Sequence, residues 1–123
     1  MRIVLLVDHD PLRASLRKST LERRFRDVYR VADAAEALCL MEQPLFAGNV
    51  GLVVTGENLP GFGGPEFVAE LHTRMPQIPV LVLGTAEENE ADYSEEGVRF
   101  LPRLSGINEM LNQATQLLPE PAL

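Results

Sequence analysis

The stretch "IVLLVDHDPL", residues 3–12, decides how the rest of the chain is read. Five consecutive aliphatic residues, Ile3 to Val7, lack the apolar–polar alternation of a strand with one wet face. They have the look of a strand covered on both sides, as in a parallel sheet layered between helices. Three ionisable residues follow at once: Asp8, His9 and Asp10. Asp10 before Pro11 marks a helix start, an N-cap side chain followed by a proline whose missing N–H has no helical partner to lose. The stretch is therefore a buried strand, a polar turn at its carboxyl end, and a capped helix.

The same unit recurs along the chain. "DVYRVA" (27–32) is a second strand, and Asp33 with Glu36 forms a capping box for a helix with Ala34, Leu38, Met41 and Leu45 at helical spacing. "GLVVT" (51–55) is a third strand; Gly64-Pro65 starts a helix with Phe67, Val68, Leu71 and Met75 on one face, stopped by Pro76. "IPVLVLG" (78–84) and "VRFLP" (98–102) are strands four and five. The final helix has the cleanest stripe, Ile107, Met110, Leu111, Ala114 and Leu118. The first helix is expected to run to about Arg24, but its stripe is untidy, because Leu12 and Leu16 share one face while Leu21 sits on another. Strands alternating with helices imply a doubly wound five-stranded parallel sheet with right-handed crossovers. Residues 1–118 read as one domain, and "PEPAL" (119–123) as a tail or the start of a linker.

Composition narrows the class. A chain of 123 residues, 46% hydrophobic and 24% charged, is of ordinary single-domain size and globular make-up. Cys39 is the only cysteine, so a disulfide framework is excluded, and a small buried hydrophobe is its expected role. The apolar run at the N-terminus is too short for a signal peptide, and nothing approaches the ~18 apolar residues of a membrane span. A cytoplasmic setting with no membrane contact is expected. The formal charge of −7 argues against direct nucleic-acid binding. Ten of eleven basic residues are Arg, Lys18 being the exception. His72, near a helix end, is expected to be solvated.

In doubly wound sheets, functional groups collect beyond the carboxyl ends of the strands. That places Asp8, His9 and Asp10 after strand one, Gly56 to Asn58 after strand three, Thr85 after strand four and Arg103 after strand five in one neighbourhood. On these residues the chain resembles the receiver domain of bacterial two-component response regulators. "IVLLVDHDPLR" is similar to the family's first strand and acidic turn, "VADAAEAL" to its second strand and helix, "NLPGFGG" to the loop after strand three, and "IPVLVLGTA" to strand four with its hydroxyl residue. The resemblance implies a flavodoxin-like fold with strand order 2-1-3-4-5, from which this chain is expected to depart in a shortened fourth helix. Only eleven residues, Ala86 to Glu96, separate Thr85 from Gly97, and six of them are acidic: a solvated charge run, or a docking surface for a basic partner.

The resemblance also implies where the family's chemistry should reside. An aspartate after strand three accepts the phosphoryl group, two acids after strand one hold Mg²⁺, a Thr or Ser after strand four contacts the phosphoryl, and a Lys after strand five neutralises it. Here those positions fall on Gly56, on Asp8 and His9, on Thr85 and on Arg103; Leu104 stands where a proline usually follows the lysine, and Phe100 at the aromatic switch position. Glycine has no nucleophile, and imidazole is a poor replacement for a carboxylate toward Mg²⁺. Asp8 and Asn58 are left as weak metal candidates, with no cofactor expected and Arg103 free to pair with Asp8. The expected function is a phosphorylation-independent pseudo-receiver, a non-enzymatic regulatory module bound by protein partners, with a homodimer left open. The alternative is a receiver that still accepts phosphate or binds a small anion at a rearranged site.

Overall fold

The computed structural model describes residues 2–56, 58–59, 61–84, 93, 97–102 and 105–119. In chain order these form β1 (Ile3–Val7), α1 (Pro11–Leu21), β2 (Asp27–Val31), α2 (Ala34–Met41), α3 (Pro44–Ala47), β3 (Val50–Gly56), β4 (Asn58–Leu59), β5 (Phe62–Gly63), α4 (Gly64–Arg74), β6 (Val80–Leu83), β7 (Val98–Leu101) and α5 (Ile107–Leu117). The main sheet has order β2-β1-β3-β6-β7, every pair in it parallel. Counting only its own strands, this is 2-1-3-4-5, the flavodoxin-like order expected from the sequence. β4 and β5 form a separate small antiparallel hairpin, turning at Gly61, whose φ of 75° suits glycine.

The continuous apolar runs are explained by strict alternation between two buried faces. Leu5, Val7, Val53, Val80 and Val82 meet Ala37, Leu38, Met41, Phe67, Val68 and Leu71 of α2 and α4. Val4, Leu6, Leu52, Val54, Leu81 and Leu83 face the other way, onto Leu21 of α1, Phe25, and Met110 and Ala114 of α5. Each fully buried large side chain contributes roughly 1.5–3 kcal/mol relative to exposure. Both layers are thus written into single strands.

Several expectations need correction. α1 ends at Leu21, short of Arg24, and Leu12 and Leu16 are 85% and 58% exposed, so they are not part of a packing stripe at all. The second helix stops at Met41, because Pro44 cannot continue it and instead opens the short α3; Leu45 is consequently 86% exposed. Cys39 is exposed, not buried, since the buried face of α2 is Ala34, Ala37, Leu38 and Met41. His72 is not simply solvated: its Nε2 lies 3.0 Å from the Ile78 carbonyl oxygen, in a partly buried contact. The expected shortening of the helix after strand four falls on residues outside those described, as do Thr85, Arg103, Leu104 and the tail from residue 120.

Candidate functional site

Asp8 sits immediately beyond β1, the strand flanked by β2 and β3, and is fully buried at 0% exposure. Its backbone N–H donates to the Val31 carbonyl at 3.1 Å, extending the β1–β2 ladder past the strand end. Its carbonyl accepts from Arg30 Nε and Nη2, at 3.1 and 2.7 Å. The residue is therefore fixed by its backbone before its carboxylate meets any partner.

The carboxylate is answered by α1. Asp10 caps that helix, its Oδ1 accepting from the N–H groups of Leu12 and Arg13 at 3.0 and 3.2 Å, and the cap with Pro11 sets the helix's rotational phase. Arg13 and Arg17, four residues apart, share one helix face. Arg13 forks onto the carboxylate: Nε donates to Oδ2 at 3.0 Å and Nη2 to Oδ1 at 2.9 Å. Arg17 Nη1 donates to Oδ2 at 2.7 Å, and the Asp10 N–H donates to Oδ1 at 3.1 Å. Burial alone would raise the carboxyl pKa, but the Arg13 hydrogen bond, the Asp10 N–H and the two guanidinium charges outweigh it and hold Asp8 below its ordinary value. Burial in turn pulls Arg17 down against the opposing pull of Asp8.

Gly56 ends β3 and pairs with Leu83 of β6. A Cβ there would lie 3.9 Å from the Val7 carbonyl oxygen and 4.0 Å from Arg17 Nη1, both ordinary contacts. The absent side chain thus points into the space that Arg17 overlooks. His9 is exposed. At the other side of the rim, Phe100 is buried at the edge of the core and stacks on Tyr93 with ring centroids 5.4 Å apart. Gly84 is required by close approach, since a Cβ would stand 2.7 Å from Phe100 Cζ and 3.1 Å from the Leu101 carbonyl oxygen.

The structure therefore brings Asp8 and Gly56 together and leaves His9 on the surface. Asn58 lies in β4, with its side chain outside what is described, and Thr85 and Arg103 are outside altogether. Asp8 takes a forked arginine from Arg13; the expected pairing with Arg103 falls on a residue outside those described. Arg13, Arg17 and Arg30 are the residues that sequence reasoning missed. The signal was present as a pair of arginines at i and i+4 in a helix capped two residues after a buried acid.

Mg²⁺ is the ion that the resemblance implies, and these residues do not fit it. Both Asp8 oxygens are occupied by N–H donors, and no group of three His, Cys, Asp or Glu side chains able to hold a metal occurs among the described residues.

The model of the response regulator receiver domain matches residues 4–100. The chain belongs to that family. The receiver is 31% identical over 99 residues to the hydrogenase transcriptional regulatory protein HoxA of Cupriavidus necator, covering 77% of this chain and 19% of that protein. It spans, in other words, about a fifth of that relative's length. Among solved structures, the signal receiver domain of an HD domain-containing protein from Pseudomonas fluorescens superposes with a TM-score of 0.81 at 25% identity, covering 95% of this receiver and 94% of that chain. The Francisella response regulator 1452 receiver domain gives 0.81 at 22% identity, with 95% and 96% covered; at that identity the likeness shows the fold.

Proposed function

We propose that this receiver, a domain of bacterial two-component signalling, works without phosphorylation, as a regulatory module recognised by protein partners. One observation carries the reading: Gly56, at the end of β3 beside Asp8, offers no atom that could accept a phosphoryl group. The occupied Asp8 carboxylate supports it, because a cation-dependent transfer needs a free ligand oxygen there. Residues 1–118 are taken as the receiver-like domain and 119–123 as a tail or the start of a linker. The site reading of Asp8, His9, Gly56, Asn58, Thr85 and Arg103 as a degenerate receiver site belongs to the same proposal.

Control of transcription is the output favoured, on the homology with a transcriptional regulator. The charge of −7 suits contact with a protein and not direct contact with nucleic acid. The domain is placed in the cytoplasm; among the described residues no helix is long and apolar enough to cross a membrane.

Incubation with acetyl phosphate and Mg²⁺, followed by intact mass measurement and phosphate-affinity electrophoresis, tests the proposal. No adduct is expected. A stoichiometric, hydroxylamine-labile adduct would overturn the reading, and mapping it to another Asp or Glu would identify a relocated acceptor.

A further inference from the structure

Losing an acceptor removes a nucleophile but need not change anything else. The geometry at Asp8 goes further. Its Oδ1 accepts from the Asp10 N–H and Arg13 Nη2, and its Oδ2 from Arg13 Nε and Arg17 Nη1. An ionised carboxylate offers about four lone-pair sites, so a metal could enter only by displacing a charge-assisted hydrogen bond. The two guanidinium groups differ in what they guard. Arg13 is 42% exposed and approaches from the rim. Arg17 is 16% exposed, and its Nη1 is near both positions, 2.7 Å from Asp8 Oδ2 and 4.0 Å from where a Cβ of residue 56 would stand.

We propose that Arg17 is a resident counter-charge that closes this site, occupying the space where a divalent cation and a side chain at position 56 would have to meet. The inference rests on reading Gly56 as the acceptor position, and it adds a second lock that is independent of the missing aspartate. Among the described residues, a Cβ at 56 meets nothing closer than 3.9 Å, so the backbone there does not itself forbid a side chain. A carboxylate carried on that Cβ has Arg17 Nη1 within reach, 4.0 Å from the Cβ, and in this proposal forms an ion pair with it. The new carboxylate would be tied up as Asp8 is, with its nucleophilicity spent on the guanidinium. The receiver is thereby held in one charge state whatever the supply of metal or phosphodonor.

The test uses His9→Asp as the common background, so that a second acid is always present. His9→Asp/Gly56→Asp should bind no Mg²⁺ by titration calorimetry and should stay unlabelled by acetyl phosphate. Adding Arg17→Met, which keeps an apolar stem, should raise Mg²⁺ affinity by at least about tenfold, since a competing unit charge has gone from hydrogen-bonding range. The adduct should then form at a measurable rate. Arg17→Gln, which keeps a donor for Asp8 without the charge, serves where the Met variant does not unfold as a single cooperative transition. Its Mg²⁺ affinity should rise in the same way. Ready labelling of His9→Asp/Gly56→Asp with Arg17 still in place would overturn the proposal, as would a folded Arg17 variant whose Mg²⁺ affinity is unchanged. Mg²⁺ binding without an adduct would leave Arg17 as the lock and reject Gly56 as the acceptor position.

Discussion

The two faces of the sheet are built on different plans. The α2/α4 face is closed by apolar side chains, with Phe67, Leu71 and Met41 against Leu5, Val53 and Val80. The α1/α5 face has a comparable body, Phe25, Leu21 and Met110 against Leu6, Leu52 and Leu81. Toward the strand ends, though, its cover turns polar. Arg13 and Arg17 cross to Asp8, and beside them an open-sided cavity of about 260 Å³ is lined by Leu16, Arg17, Leu83, Leu101 and Ile107. One face is closed chiefly by apolar packing. The other divides α1 between packing and the site. α2 and α4 add only peripheral polar contacts, Arg74 to Glu42 and His72 to the Ile78 carbonyl, whereas α1 also reaches a fully buried acid.

The largest effect is expected where a large side chain is fully buried. Phe67→Ala on the α2/α4 face should cost roughly 3–5 kcal/mol, seen as a lower midpoint in urea with an unchanged slope. Next comes Asp8→Asn, which leaves Arg13 and Arg17 facing a neutral amide. Breaking a buried pair costs roughly 3–5 kcal/mol, and the partial exposure of Arg13 puts this case near the lower end. If Asp8→Asn proves the costlier of the two, the polar rim and not the apolar body dominates stability, and the comparison fails.

The same variant carries a pH signature. Because Asp8 titrates below its ordinary value of 3.8 in the folded protein, its contribution is fully present above that value. It is lost as pH falls from about 3.8 through the folded pKa. The gap between the denaturation midpoints of wild type and Asp8→Asn should therefore be constant above pH ~4 and shrink progressively as pH falls below it. The smallest effect belongs to Leu12→Ser on the open side of α1, within about 0.5 kcal/mol by thermal melting. A larger loss would mean that this face of α1 is covered in solution.

What the sequence revealed follows the same division. Strands β1, β3 and β6 were legible because burial on both faces leaves an unbroken aliphatic run, and Asp10-Pro11, Asp33 with Glu36, and Gly64-Pro65 marked helix starts through local chemistry. The caps appear as expected at Asp10 and Asp33. The position of Gly56 beside Asp8 was also readable, since both close neighbouring strands. α1 resisted, because an amphipathic search looks for leucines, and this helix turns Leu12 and Leu16 outward while its arginines reach inward. Periodicity cannot distinguish an arginine bound for solvent from one bound for a buried carboxylate. Leu45 was misplaced for a simpler reason: its spacing suits α2, but Pro44 restarts the chain in a new turn. Cys39 followed a residue-type average that the actual face of α2 overrides.

The burial of the Asp8–Arg17 pair has a consequence for behaviour in salt. Exposed pairs such as Lys18–Glu22 and Arg74–Glu70 lie in water, where counter-ions at physiological strength screen charges beyond roughly 8 Å and weaken close contacts as well. Asp8 is reached by no solvent and Arg17 by little, so mobile ions have no room to stand between them. Raising ionic strength should thus fade the outer charge pattern while the inner one persists. A partner reading the surface of this receiver would meet a field that changes with its surroundings, laid over a core charge arrangement that does not.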